Sequence, residues 1–372
     1  MEQSYGVFRV DPRSLEIPGN YSMEIYSPSL IRRVHPIHLT PRRSEEDNDV
    51  IFDLVEEQAV DHCNLISYDS QFELYALAIE PNVSAPQTVA IGSFMRNGDN
   101  VVRILSRTDS DSLRPIVSLP HGLPATKLMF KPASCTSSVT PSPITDPPRL
   151  IASASNAIRI WRITNDPGLY RVAKLAAKSD ASPVTSFDWQ GSKIASASLD
   201  STVSLWEIGK ERLERQTVVH ERGVFDVALN GPLVASAGED SLVGSVKRFD
   251  VRSPEHPETI LSGSCAFLRV AWSETSGLLA AISSGAGYVS VIDLRRPSEP
   301  VLCADLLGSA GNAISWNGDT LAVGCTSGRV LLFEKSDRPV AFWSAGGSVV
   351  NMQLNSKSLA VVTGNRKFQM TC

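Results

Sequence analysis

Cysteine is scarce, and the six present (Cys63, Cys135, Cys265, Cys303, Cys325 and Cys372) include no Cys-x-x-Cys pair. That leaves neither a zinc site nor a disulfide framework, and it favours a reducing compartment. An excess of charge of one sign is missing too. The 35 basic and 40 acidic residues give a formal net charge of -5, too mild a field to gather nucleic acid or anionic lipid, so neither is expected as a direct partner. Long apolar runs are absent. Met1 to Glu16 lacks the continuous apolar core of a signal peptide, and no later run approaches the roughly 18 residues of a membrane helix. A soluble protein of cytoplasm and nucleus is the expectation. No glycine-rich phosphate cradle is present either, because Gly285-Ala286-Gly287 falls between two strand-like phrases and reads as a turn.

What is present is a repeat. An aliphatic residue followed by Ala and then small residues recurs seven times, at Val89-Ala90, Ile151-Ala152, Ile194-Ala195, Val234-Ala235, Leu279-Ala280, Leu321-Ala322 and Leu359-Ala360. The alanines are 62, 43, 40, 45, 42 and 38 residues apart, a period that signals a repeat architecture. Only the first interval is long, and it contains a Ser/Thr/Pro-rich stretch, residues 133–149, expected to form a surface loop inserted in one blade.

A phrase of alternating apolar residues follows each repeat, as in Ile158 to Ile163, Val203 to Ile208, Val246 to Val251 and Val289 to Leu294. Another precedes each, as in Leu74 to Ile79, Val184 to Trp189 and Val349 to Leu354. A weaker fourth lies in the connectors, for example Leu213 to Val219 and Pro300 to Ala304. Four short strands per period, with Gly, Asn, Asp and Ser between them, describe the blade of a β-propeller. In Val203 to Ile208 both faces of the strand are apolar, so it must be covered twice, and blades stacked around an axis do that. The seventh block has three strands before the sequence ends at Cys372. Cys63 to Tyr68 is the expected donor of the fourth, closing the ring.

The blocks resemble WD-repeat proteins, whose blades often join His, Ser or Thr, Asp and Trp by hydrogen bonds. His121, Ser153 and Trp161 match in the second block, with Asn156 near the expected Asp. Ser196, Asp200 and Trp206 match in the third, which lacks the His. His220, Ser236 and Asp240 match in the fourth, with Phe249 in place of Trp. Buried polar groups of this kind need partners, and both histidines are read as structural rather than catalytic. The resemblance makes the chain an all-β, seven-bladed WD-repeat β-propeller over residues 62–372, with a largely irregular amino-terminal extension, residues 1–61. Pro12, Pro18, Pro28, Pro36 and Pro41 are expected to break that extension. A loose His35 and His38 pair in it lacks further ligands, and no metal or cofactor is expected.

A narrower resemblance, to the Transparent Testa Glabra and DYRK-kinase-partner scaffolds, runs through Tyr68-Asp69-Ser70 with Leu74-Tyr75-Ala76, Ala125 to Met129, Val184 to Trp189, Phe249 to Arg252 and Ile292 to Arg295. It implies a non-enzymatic scaffold, a monomer within larger complexes that holds a protein kinase, transcription factors or a ligase adaptor. Members of this class also serve as receptors of cullin-RING ubiquitin ligases. There the candidate docking residues are the Asp-x-Arg pairs Asp250 with Arg252 and Asp293 with Arg295. Two readings of these pairs stand, contact with an adaptor or local ion pairs at the blade rim. A peptide or histone-tail reader is a further alternative. The polar residues Glu73, Lys127, Asp188, Asp226 and Arg269 in or beside the first strands follow no shared catalytic pattern.

Overall fold

The computed structural model describes residues 65–371 apart from 82–86, 97, 109, 133–148, 165–167, 177–181, 242, 274, 286, 298, 335–338, 340 and 356–357, together with strand residues 22–23, 37–43 and 50–54. The chain forms two units, Met1–Cys63 and Asn64–Cys372. In the first, strands Ser22–Met23, Ile37–Arg43 and Val50–Leu54 form one antiparallel sheet in chain order, with Leu39 opposite Leu54 and Arg43 opposite Val50. Pro41, expected as a break, sits inside the middle strand opposite Phe52. Among the described residues the first strand pairs with Ile37 and His38 alone, and no ladder is described on that side of the backbone at Pro41; proline is tolerated at such an edge.

The second unit is seven four-stranded antiparallel sheets. Their inner strands are Leu74–Ile79, Lys127–Phe130, Val184–Gln190, Val224–Asn230, Phe267–Trp272, Gly311–Asn317 and Val349–Leu354. Each inner strand packs against the next, and the seventh returns to the first, so the sheets are blades around one axis. The alanine of each repeat lies in the second strand of its blade, and all seven, Ala90 through Ala360, are 0% exposed. A larger side chain there would force neighbouring sheets apart.

Blade three shows why both faces of its third strand, Thr202–Glu207, are apolar. Val203 and Leu205 pack with Val227, Val234 and Phe249 of blade four. Trp206 turns the other way, onto Ile158, Ile160 and Leu175 of blade two. Each hydrophobic cluster thus belongs to a junction between blades, and a blade removed from the ring would expose two apolar faces.

The outer strand of blade seven is Leu65–Asp69, which pairs antiparallel with Lys367–Thr371, placing Asp69 opposite Lys367 and Leu65 opposite Thr371. Ile66, Phe368 and Met370 are buried in the same cluster as Leu74 and Val89 of blade one. Cys63 and Asn64 lie outside the described residues. So do residues 133–148 of the inserted loop, but Arg149, expected within that loop, opens the second strand of blade two. Its guanidinium donates from Nε and Nη2 to the two carboxylate oxygens of Glu80, at 2.7 and 2.6 Å, and from Nη2 to Thr88 Oγ1 at 2.9 Å. That bidentate grip on blade one fixes the strand start.

Candidate interaction site and its supporting network

Histidine, serine and indole meet in blade two. His121 Nε2 is 3.0 Å from Ser153 Oγ, and Trp161 Nε1 donates to the same oxygen at 2.9 Å. His121 Nδ1 is 2.7 Å from the carbonyl of Leu123. A carbonyl only accepts, so Nδ1 carries the proton and Nε2 accepts from the serine hydroxyl. Burial lowers the pKa of His121 and favours this neutral ring. Asn156 does not reach the histidine. Its carbonyl accepts instead from Arg159 Nη2 at 3.0 Å and from Ser155 Oγ at 3.2 Å.

Blade three keeps only the Trp206 Nε1 to Ser196 Oγ bond, 2.8 Å. Asp200 is turned to its own loop, accepting from the Thr202 backbone N–H and hydroxyl, an Asx-type turn that needs no histidine. In blade four, His220 Nε2 lies 3.0 Å from Ser236 Oγ. Phe249 is buried but has no donor to offer the serine. On the far side of the ring, Nδ1 is 3.2 Å from Ser245 Oγ, which donates to Asp240 Oδ2 at 2.6 Å. Lys247 Nζ joins Asp240 Oδ1 to the Val219 carbonyl, both at 3.0 Å. Burial brings the His220 pKa down to about 4, with Lys247 assisting and Asp240 opposing. Burial would raise the Asp240 pKa, but bonds from Ser245, the Glu221 N–H and Lys247 hold it below the usual carboxylate range. Ser245 and Lys247 stood outside the expected motif, although both lie on the third strand, Gly244–Asp250, facing the histidine.

Polar residues of the inner strands are used between blades. Thr126 and Thr185 hydroxyls donate to the carbonyls of Val184 and Val224 at 2.7 Å, and Asn312 Nδ2 to that of Val349 at 2.9 Å. In each case the acceptor begins the inner strand of the next blade. Three residues after Thr185 and Asn312 comes an acceptor. Asp188 takes the N–H of Leu229 at 2.7 Å and Ser315 that of Leu354 at 3.0 Å, while Gln353, in the same register, takes that of Ile79 at 2.7 Å. Asp226 accepts from Ser186 Oγ at 2.5 Å and from the Val270 N–H at 3.1 Å, with Lys127 Nζ 3.7 Å away. Burial raises the Asp188 pKa, against Lys127 and two backbone donors. A polar pair spaced by three in an otherwise apolar strand was the available signal.

The Asp-x-Arg pairs stand at the turns that leave the third strands of adjacent blades four and five. Asp250 accepts from Arg252 Nε at 2.9 Å, from its Nη2 at 2.5 Å and from its backbone N–H at 2.8 Å. Asp293 holds Arg295 in the same way, with Nε and Nη2 each at 2.9 Å. The Arg252 hydrogen bonds bring the Asp250 pKa down to about 2, and those of Arg295 lower that of Asp293. The arginine side chains are nevertheless 74% and 78% exposed. Arg248 of blade four donates to the Leu294 carbonyl at 2.6 Å, joining the second corner to the neighbouring blade. Local pairing and outward presentation therefore coexist, since each guanidinium keeps unused donors.

No protein-family model matches the chain. It is 28% identical over 291 residues, 74% of this chain and 86% of the relative, to a Dictyostelium discoideum protein named DDB1- and CUL4-associated factor 7 homolog. It is 26% identical over 340 residues to a WD repeat-containing protein of Saccharomyces cerevisiae, covering 79% of this chain and 60% of that one. An uncharacterized WD repeat-containing protein of Schizosaccharomyces pombe is 27% identical over 267 residues, with 61% and 59% covered. The fold is a seven-bladed β-propeller, and its homologues are WD-repeat proteins.

Proposed function

We propose that this chain is a non-enzymatic protein-interaction scaffold, a platform that assembles a protein kinase, transcription factors or both into larger complexes in cytoplasm and nucleus. The observation that carries this reading is where its polar chemistry is used. Inner-strand groups such as Asp188, Asp226, Ser315 and Gln353 are committed to the backbone of the next blade. Arg252 and Arg295, by contrast, are paired with Asp250 and Asp293 on the outside of adjacent blades with most of each side chain exposed, and arginines are favoured anchors for protein partners.

A second reading has a specific observation in its favour. One relative bears DDB1 and CUL4 in its name, and the paired corners suit a substrate receptor of a cullin-RING ligase that meets an adaptor through Arg252 and Arg295. Purifying the tagged chain from its own cells, as wild type and as the Arg252→Ala, Arg295→Ala double variant, tests both. A kinase or transcription factors recovered with both forms support the scaffold. A ligase adaptor lost only from the variant supports the receptor. No stable partner with either form would sink both and leave a peptide reader.

A further inference from the structure

The seam where the ring closes holds a cleft, and we propose that it is a binding site for an acidic side chain of a protein partner, seated on the guanidinium of Arg103. This inference rests on the protein-interaction reading. Arg103 lies on the third strand of blade one, Asn100–Arg107. Its Nε donates to Ser118 Oγ at 3.2 Å and its Nη1 to the Tyr68 phenol oxygen at 2.6 Å. The guanidinium carbon sits 5.5 Å from the centre of the Phe72 ring, within cation–π range. Three neutral groups thus fix the cation, and at least two of its five N–H donors remain unused.

No carboxylate among the described residues pairs with it. Other arginines do have one, such as Arg107 with Asp111, Arg149 with Glu80 and Arg222 with Glu239. The two acids nearest in the closing segment already face other cations, Asp69 near Lys367 and Glu73 near Arg366, each at 3.9 Å. Arg103 is a half-buried cation held by neutral groups, with no counter-charge among the described residues.

The cleft suits one carboxylate. Phe72, Leu74, Ile91 and Val101 line it together with Ser70 and Arg103. Leu74 and Ile91 are buried, and an apolar floor strengthens an ion pair by keeping water from it. Ser70 Oγ accepts from the Phe72 N–H at 3.1 Å, and its own hydrogen can serve the second carboxylate oxygen. The empty space is about 170 Å³, part of it open to solvent. The part shielded from solvent holds little more than one water-sized group, which excludes a free metabolite and leaves room only for the tip of a side chain reaching in from a larger partner. Tyr68 and Phe72 come from the closing segment and Arg103 from blade one, so the occupant would straddle the seam.

The test pans a random heptapeptide library on the full-length chain and measures the affinity of the enriched peptides. They should share an Asp or Glu. Changing that residue to Asn or Gln, or Arg103→Gln in the protein, should weaken binding about tenfold or more, the usual loss for a charge-assisted bond. Arg103→Lys should keep part of the affinity, and wild-type melting behaviour of either variant without peptide shows that the fold is intact. Should both variants misfold, Ser70→Ala serves instead, with an expected weakening of a few fold. Enriched peptides without an acid, equal affinity for the variants, or no enrichment at all would overturn the proposal. Cellular partners retained by both wild type and Arg103→Gln would reject the cleft while leaving the scaffold standing. An absence of partners with wild type would reject the scaffold instead.

Discussion

Blades two and four hold the same histidine–serine pair at the same 3.0 Å separation, yet surround it with unlike chemistry. Blade two uses a neutral set, an indole N–H on the serine and a backbone carbonyl on the histidine. Blade four has lost the indole to Phe249 and recruits Ser245, Asp240 and Lys247 on the other side of the imidazole. What must be kept is a fully satisfied imidazole and hydroxyl, because an orphaned buried polar group costs more than a made bond gains. Several residue sets meet that condition, and the written motif degenerates without the fold changing.

The largest expected effect comes from blade three, where the indole–serine bond stands without a histidine. Trp206→Ala should cost about 3–5 kcal/mol by denaturant unfolding, from lost packing on blade two and an unpaired Ser196. A loss under about 1 kcal/mol would mean that the indole is not needed at that junction. The pH dependence of blade four comes next. Because the folded pKa of His220 is depressed to about 4 from 6.5, the unfolded chain binds the extra proton. Its contribution is therefore complete above pH 6.5 and falls as pH drops toward 4, by on the order of 3 kcal/mol. Between pH 7 and 4, wild type should lose correspondingly more stability than His220→Gln, and parallel curves would refute a neutral buried ring.

Asp240→Ala should cost about 2 kcal/mol by leaving Lys247 without its carboxylate, whereas Asn156→Ala, at the corresponding place in blade two, should change stability by less than about 0.5 kcal/mol. Equal effects would erase the contrast between the blades. Phe249→Trp should change stability by no more than about 1.5 kcal/mol either way. If the indole reaches Ser236, a double-mutant cycle should show His220→Ala costing less in that background. Strict additivity would show that the two arms do not share the serine.

The number of blades was legible because seven alanines at second-strand positions face sites that admit nothing larger, and that demand is local enough to appear as a spaced phrase. The double burial of Val203 to Trp206 was legible for the same reason, although the strand ends at Glu207 and the half-buried Ile208, expected to close it, begins a short 3-10 turn. Strand ends were less so. The outer strand of blade five runs Leu302–Asp305 rather than from Pro300, and that of blade three Arg212–Val218 rather than to Val219, since edge strands answer to one neighbour and carry little pattern. Ser153 with Trp161, and His220 with Ser236, could be paired from the motif. Ser245, Lys247 and the Thr185 and Asn312 locks could not, because their partners lie on another strand or another blade. The orientation of Arg252 and Arg295 also lay beyond the sequence, since an Asp two residues away permits both a local pair and an outward-facing arginine.

Closing the ring with Leu65–Asp69 imposes an order on synthesis. A strand made early must wait for roughly 300 further residues before Lys367–Thr371 exists to receive it. Until then the growing chain is an open arc with unpaired strand edges and an uncovered apolar flank at its first blade. Completion of Lys367–Thr371 therefore converts a sticky intermediate into a closed ring. A chain interrupted within that strand should yield material claimed by chaperones or proteases rather than a slightly shorter propeller.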